Sequence, residues 1–291
     1  MKRFALALLI GGSVAMAAPA SAQVIFSMDY SAAAAPNGGW SAVAVDPHFT
    51  RTRVAGGGPN GQDAYELQQL SVPSLASYGG QFNWGWRGNV ESVDPTQGQR
   101  RYIRWRMRFS PNTNFRGLGW GDGGQGGVQN KLLIVGDTCG SRCRFIMTYQ
   151  ADRNTGVVRN FRLQLDGGVD VADTGSYPIG QWLNIQVELA SGSGSTSADG
   201  GYKIWINNNN YGSPTAQRTG IVLRPTNWKY VFIGGFMNDG LAADGIHIYR
   251  QTDFQVARSF DAAWASGGGG TTPPPPPQTL AAPSNVRIIV P

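Results

Sequence analysis

The sequence predicts an all-β fold, an antiparallel β-sandwich of roughly a dozen strands, a size that such sandwiches reach. Two features of the composition point there: 41 glycines mark frequent turns, and only 14% of the residues are charged. A third observation is that several segments alternate strictly between apolar and polar side chains, which is typical of half-buried strands. No internal repeat of fixed period interrupts this pattern.

The clearest alternation runs through Arg101–Phe109, with the sequence RYIRWRMRF. One face would carry Ile103, Trp105, Met107 and Phe109, and the other Tyr102, Arg104, Arg106 and Arg108. We call Arg104, Arg106 and Arg108 the arginine ladder. Like charges two residues apart repel one another, so an anion bound on that face would explain them; a solvated basic face is the alternative.

Other segments repeat the pattern. In Trp182–Leu189 the leucine, isoleucine and valine side chains face one way, while Asn184, Gln186 and Glu188 face the other. In Arg144–Gln150 the residue Tyr149 falls on the apolar face. Near the C-terminus, Val256, Phe260 and Trp264 recur at helical spacing after Asp253, which predicts one short helix capped by Asp253.

Both ends of the chain differ from the middle in composition. Residues 1–22 join a positive start to a short apolar run and end in Ala-Ser-Ala, as a cleaved signal peptide does, so we expect a mature chain that begins at Gln23 and is secreted or periplasmic. Residues 23–265 would form the β-sandwich domain. Residues 266–282 form a Gly/Pro-rich linker. Residues 283–291 resemble a truncated first strand of a fibronectin type III module.

Charge and cysteine content narrow the possible partners. Loss of Lys2 and Arg3 with the signal peptide lowers the net charge from +6 to +4, which is too low for the usual nucleic-acid binder. After residue 22 the sequence has no apolar run long enough to be a transmembrane segment. Cys139 and Cys143 are the two cysteines, and outside the cytoplasm we expect them to form a disulfide.

The segments RRYIRWRMRFSPN, NKLLIV, GQWLNIQVELA, ADGGYKIWINNN and WKYVFIGGF occur here in the order found in a known group. Over roughly residues 24–264 the chain resembles the concanavalin A-like lectin and glucanase superfamily, and within it the secreted polysaccharide-lyase-like proteins. The resemblance implies a jelly roll of two curved sheets. It also implies a carbohydrate partner.

The chain departs from the catalytic motifs of that superfamily. The E-x-D-x-x-E strand of its glucanases is absent, as are the R-x-E-x-R, Q-I-H and Y-F-K-x-G motifs of alginate lyases. Glu66, Glu91 and Glu188 are the only glutamates, and no acid accompanies Glu188 on its strand face. Hydrolysis by a pair of carboxylates is therefore disfavoured.

β-Elimination on a uronate needs groups that neutralise the carboxylate and a base that removes the C5 proton. The sequence offers Tyr102, Arg106, Gln186 and His247 as candidate catalytic residues, although a lone histidine between two isoleucines is more often structural. Candidate substrate-binding residues are the polar and cationic side chains of the strand faces and one tryptophan in a long glycine-rich loop: Arg104, Arg108, Arg144, Arg162, Gln164, Lys203 and Trp120.

The leading hypothesis is a polysaccharide-lyase-like protein that acts on, or binds, an acidic polysaccharide, and whether it is an enzyme stays open. A non-catalytic lectin-like module and a structural protein of the cell envelope are the alternatives. No cofactor is required. A structural Ca²⁺ between the first and last strands is an option, with Asp29 and Asp244 as ligands. We expect a monomer.

Overall fold

The computed structural model describes twelve stretches of the chain. They are residues 23–31, 41–42, 49–70, 82–83, 86–89, 98–114, 127–136, 144–152, 158–165, 168–223, 230–237 and 246–265. Within these residues sixteen strands, numbered β1 to β16 in chain order, form two antiparallel sheets. The predicted all-β sandwich is confirmed.

Sheet I holds eight strands. They are β1 (Val24–Ser27), β3 (Phe49–Val54), β4 (Ala64–Gln69), β7 (Arg100–Phe109), β12 (Leu183–Ala190), β13 (Gly200–Ile206), β14 (Ala216–Ile221) and β16 (His247–Ala257). Their order across the sheet is β14-β13-β12-β7-β16-β4-β3, and β1 pairs with β16. The ladder strand β7 thus lies at the centre of the sheet.

Sheet II also holds eight strands. They are β2 (Ser41–Ala42), β5 (Phe82–Asn83), β6 (Trp86–Asn89), β8 (Gly127–Val135), β9 (Phe145–Asp152), β10 (Val158–Leu165), β11 (Val169–Asp173) and β15 (Tyr230–Met237). Their order is β11-β10-β9-β8-β15-β6-β2, and β5 pairs with β15. The strands that carry the candidate polar residues are therefore divided: β7 and β12 belong to sheet I, and β9 and β10 to sheet II.

The core lies between the two sheets, and the alternation explains it. The apolar residues of β7 enter one continuous cluster with those of β9, β10 and β12, which include Met147, Leu163 and Ile185. Burying an aliphatic or aromatic side chain of this size contributes roughly 1.5–3 kcal/mol, so the inward face of each strand fixes its register. The alternate side chains of both sheets must then point outward.

The predicted helix is shorter than expected and begins later. Asp253 lies within β16 at a positive φ of 58°, where the pairing of β16 with β7 is irregular. Strand pairing continues to Ala257, since β16 is hydrogen-bonded to β7 on one side and to β1 on the other. The helix α1 spans only Ala262–Ala265, so the expectation that Asp253 caps it is wrong.

Candidate functional site

The arginine ladder lies on the outer face of sheet I, as alternation predicts, but it is covered. Asp261 begins α1 by accepting a hydrogen bond from the Trp264 amide at 3.0 Å through its Oδ1, as an N-cap does. Its second oxygen, Oδ2, accepts from Arg104 Nη1 at 2.5 Å. Arg104 Nε donates to Gln255 at 2.9 Å. Arg104 is consequently only 4% exposed.

Arg106 is held in a similar way. Its Nη1 donates to Asp253 Oδ2 at 3.1 Å. The Trp264 ring lies over both arginines, with its centroid 4.4 Å from the Arg106 guanidinium carbon and 4.8 Å from that of Arg104. Burial raises the pKa of the Asp253 carboxyl, and the neighbouring Arg106 opposes that shift. We call residues 259–265 the clasp, because they close over the ladder.

Gln186 joins the clasp to β12. Its Oε1 accepts from the Asp261 amide at 3.1 Å, and its Nε2 donates to the Asp261 carbonyl at 3.4 Å. Gln186 is fully buried. The expectation that Arg104, Arg106 and Gln186 form an exposed glycan-binding surface is therefore wrong, because the chain's own carboxylates and tryptophan occupy the positions that a ligand would take.

The candidate residue Tyr102 lies beside the clasp in a separate buried group. Its hydroxyl donates to Glu188 Oε2 at 2.7 Å, and Tyr211 donates to the same oxygen at 3.0 Å. Burial, followed by the bond to Glu188, raises the pKa of Tyr102 far above its usual value. Tyr102 therefore stays protonated at neutral pH and cannot act as a general base.

Two other cations of this face pack on aromatic rings. Arg108 lies over Trp182, with its guanidinium carbon 5.3 Å from the ring centroid. Lys203 lies 5.1 Å from the Tyr211 centroid and 3.9 Å from Glu188. Both side chains are half-buried. They lie at the margins of the clasp.

His247 lies in the interior, between the sheets. Its Nδ1 is 2.7 Å from the Tyr149 hydroxyl, and both residues are completely buried. Burial lowers the pKa of His247 to about 3, so the imidazole is neutral at physiological pH. His247 therefore has a structural position and not a catalytic one, because its buried side chain lies on neither outer face.

The remaining candidates that the structure describes lie on sheet II. Arg162 and Gln164 alternate with core residues of β10, and Arg144 immediately precedes β9. They therefore share no face with the ladder, because β9 and β10 belong to sheet II and β7 to sheet I. Arg162 is half-buried and pairs with Asp173 of β11 at 2.9 Å.

Strand register places further polar residues beside Arg162. Gln150 pairs with Asn160, and Thr148 pairs with both Arg162 and Lys131. We call Lys131, Thr148, Gln150, Asn160 and Arg162 the polar band. Within the described part of the chain Asn160 Oδ1 is buried without a hydrogen-bond partner. The sequence signal for Thr148 and Gln150 was their alternation with Met147 and Tyr149, but a single amide or hydroxyl carries little functional weight by itself.

An apolar cluster adjoins the polar band on the same face. Ile134, Ile146 and Phe232 form it, and Tyr230 packs against its edge. The Gly136 amide donates to the Tyr230 carbonyl at 2.9 Å, and β8 pairs Val135 with Phe145. Among the described residues, Gly136 therefore lies between Tyr230 and Arg144. Sequence reasoning missed Tyr230 because a tyrosine at a strand start is usually packing.

Several predicted features fall outside the described residues: Trp120, Asp244, and the pair Cys139 and Cys143. Asp29 is exposed, and its Oδ1 accepts from the Ser31 amide at 2.8 Å, as in a turn. Among the described residues, no three His, Cys, Asp or Glu side chains are placed to hold a metal ion. The calcium and disulfide hypotheses stay predictions. In the same residues no helix has the length and hydropathy needed to cross a membrane.

Comparison with known proteins gives a fold but no sequence family. No family model and no curated protein matches the sequence. Among solved structures the chain is similar to an endo-β-1,4-glucuronan lyase from the fungus Trichoderma reesei, with a TM-score of 0.54, 14% identity, and coverage of 82% of this chain and 98% of that one. The two proteins share a jelly-roll β-sandwich fold.

A second similar structure is an alginate lyase from a Chlorella virus, with a TM-score of 0.45, 12% identity, and coverage of 81% of this chain and all of that one. These lyase-fold structures belong to the concanavalin A-like superfamily that the sequence resembles. At such identities the likeness concerns the fold alone. The activity has to be argued from the residues of this chain.

Proposed function

We propose that the protein binds an acidic polysaccharide across the outer face of sheet II and cleaves it by β-elimination. The observation that carries the proposal is the polar band, where Lys131 and Arg162 lie on either side of Thr148 in adjacent strands and Gln150 pairs with Asn160 beside them. It combines two half-buried cations for a carboxylate, Lys131 and Arg162, with the half-buried amide of Asn160 for hydroxyl groups. Thr148 and Gln150 are buried beside them and support these side chains. The lyase-like fold supports the proposal.

The chemistry of the band suits a uronate. The Arg162 guanidinium already donates to Asp173 through Nε and Nη2, so a uronate carboxylate would share this guanidinium with Asp173. A charge-assisted hydrogen bond of this kind contributes roughly 1.5–3 kcal/mol. Neutralising the carboxylate also acidifies the adjacent C5–H bond, since the developing negative charge is delocalised onto it. Lys131 and Arg162 would therefore serve both binding and activation.

We assign the proton transfer to Tyr230. Among the described residues it is the tyrosine or histidine whose strand position lies on this face. Neighbouring strands are about 4.8 Å apart, so Tyr230 and Arg144, two strands apart, leave roughly 10 Å for a sugar unit above Gly136. Tyr230 would take the C5 proton as the general base. The C4–O bond then breaks, a C4–C5 double bond forms, and the leaving oxygen takes a proton.

The test is a panel of alginate, glucuronan and pectate, with the ultraviolet absorbance of the unsaturated product as readout. We expect product from at least one polymer, and loss of product with retained binding in Tyr230→Phe. Binding without product from any polymer would favour the lectin-like alternative, which the packing of Tyr230 against apolar side chains also favours. Absence of binding to all three would refute the proposal.

We also propose that the protein reaches its polymer outside the cytoplasm, with residues 1–22 removed as a signal peptide. N-terminal sequencing of the exported protein should begin at Gln23. Export with Met1 retained would contradict this.

A further inference from the structure

A pocket unrelated to the polar band opens at one end of the sandwich, where β7 begins and β16 ends. Its volume is about 440 Å³, and it is lined by Gln99, Arg100, Arg101 and Arg258. This volume is in the range of small-ligand sites. Three of its four described lining residues are arginines, which favours an anionic ligand.

Among the described residues, Glu188 is the acid that lies near these arginines. Arg100 is exposed, and its Nη1 lies 3.0 Å from the Tyr211 hydroxyl and 3.8 Å from Glu188. That carboxylate is also shared with Tyr102 and Tyr211. Arg258 is exposed, and within the described chain only its backbone amide is bonded, to the Gln23 carbonyl at 3.0 Å. Among the described residues at this end of the molecule, three arginines therefore accompany one nearby carboxylate.

The pocket is pre-organised by the backbone around it. Arg101 Nη1 donates to the Arg100 carbonyl at 2.8 Å, and its Nη2 donates to Gln99 Oε1 at 3.0 Å. The Gln99 carbonyl accepts from the Ser191 amide at 3.0 Å. The guanidinium of Arg101 is therefore held in one orientation, which lowers the entropy lost when an anion binds.

An aromatic ring adjoins the pocket and indicates the kind of ligand. Tyr211, whose hydroxyl lies 3.0 Å from Arg100 Nη1, is 38% exposed. It is stacked on the buried Trp205 with ring centroids 5.5 Å apart and an interplanar angle of 16°. A fixed, exposed ring beside a cationic pocket suits a sugar that carries an acidic group, since the ring covers its apolar face.

The pocket is too far from the polar band for the two to form one site. His247, the first residue of β16, contacts Tyr149 next to Gln150, whereas Arg258 follows the last residue of the same strand. β16 has eleven residues and is therefore about 35 Å long. The pocket and the amide end of the polar band lie at opposite ends of the molecule.

We propose that this pocket is a second binding site for an acidic polysaccharide, in which Arg258, Arg101 and Arg100 bind a carboxylate and Tyr211 contacts the sugar ring. It would hold a distant part of the same polymer, or a second chain. The site does not depend on catalysis at sheet II.

Binding of a tetragalacturonate and of inorganic sulfate should be measured by calorimetry in an Arg162→Ala background, which weakens the polar band. We expect Arg258→Ala to reduce tetragalacturonate affinity tenfold or more, the effect of losing one charge-assisted hydrogen bond. The matched control is Arg218→Ala, which removes another exposed arginine and should change affinity less than twofold.

Tyr211→Ala should weaken the saccharide while leaving sulfate binding unchanged. Equal affinities for Arg258→Ala and Arg218→Ala would overturn the proposal. So would tight sulfate binding with no saccharide binding, which would mean an adventitious ion only. Circular dichroism of each variant verifies that the fold is intact.

Discussion

The outer faces of the two sheets share one sequence pattern, in which arginines alternate with apolar residues. They differ in what covers these arginines in the folded protein. On sheet I the cations Arg104 and Arg106 are covered by the clasp and paired with Asp261 and Asp253. On sheet II Arg162 is half-buried and pairs with Asp173, a neighbour in the same sheet. A row of arginines in a strand therefore indicates an outward face, and the rest of the chain decides whether that face binds a ligand or another segment.

Trp264 is the residue of the clasp whose ring covers Arg104 and Arg106. Trp264→Ala should lower the free energy of unfolding by about 3 kcal/mol, the lower end for truncating a buried aromatic residue. Urea denaturation measures it. Trp182→Ala is the matched control, because Trp182 lies over Arg108 on the same face but is half-buried. An equal, small loss in both variants would mean that the clasp is not a structural cover.

The interior between the faces should respond to pH through His247. Its folded-state pKa of about 3 is below the usual 6.5, so the unfolded chain binds the proton first as pH falls. The stability present above pH 6.5 should decrease by up to about 1.4 kcal/mol per pH unit down to pH 4.5. Urea titrations at several pH values test this, and His247→Gln should flatten the slope. A wild-type slope equal to that of His247→Gln would contradict the buried site.

The free energy of unfolding should fall by different amounts when an arginine is removed from an ion pair on each face. Arg106→Ala should cost about 2 kcal/mol of folding stability, less than a fully buried pair because Asp253 is 25% exposed. The sequence alone predicts a loss below about 0.5 kcal/mol, as for an exposed arginine. Arg162→Ala, on the open pair of sheet II, should cost less than about 1 kcal/mol. Similar losses for the two variants in chemical denaturation would remove the distinction.

For binding of a uronate polymer, in contrast to stability, the arginine of sheet II should matter more than an arginine of sheet I. Arg162→Ala should weaken a uronate polymer about tenfold, since one charge-assisted hydrogen bond is lost. Arg250→Ala is the control, because Arg250 is also half-buried and pairs with a carboxylate, Glu66, but on sheet I. Binding should weaken with added salt through charge screening. Affinity electrophoresis measures both variants, and equal losses would show that only net charge matters.

The sequence predicts the fold well because the alternation of side chains is local. Tyr149 and Met107 are assigned to the core from their neighbours alone, and both are buried there. The candidate site depends on contacts between distant segments. Asp261 lies 157 residues from Arg104, and no local pattern indicates that the two meet.

The sequence pattern also does not indicate which strands belong to the same sheet. Arg106 and Arg162 occur in similar alternating contexts, yet β7 pairs with β12 and β16 whereas β10 pairs with β9 and β11. The predicted helix failed for a related reason: spacing of apolar residues at Val256 and Phe260 suits a helix, but the hydrogen bonds of two neighbouring strands hold residues 247–257 extended.

Hydrogen–deuterium exchange in the presence of a uronate oligosaccharide tests the central claim most directly. The claim is that the glycan contacts the outer face of sheet II and not the ladder. We expect slower exchange of amides in β9 and β10 on binding, with no change at the centre of β7, Arg104–Arg108. Slower exchange confined to β7 and the clasp, with β9 and β10 unchanged, would place the glycan on the ladder and contradict the account.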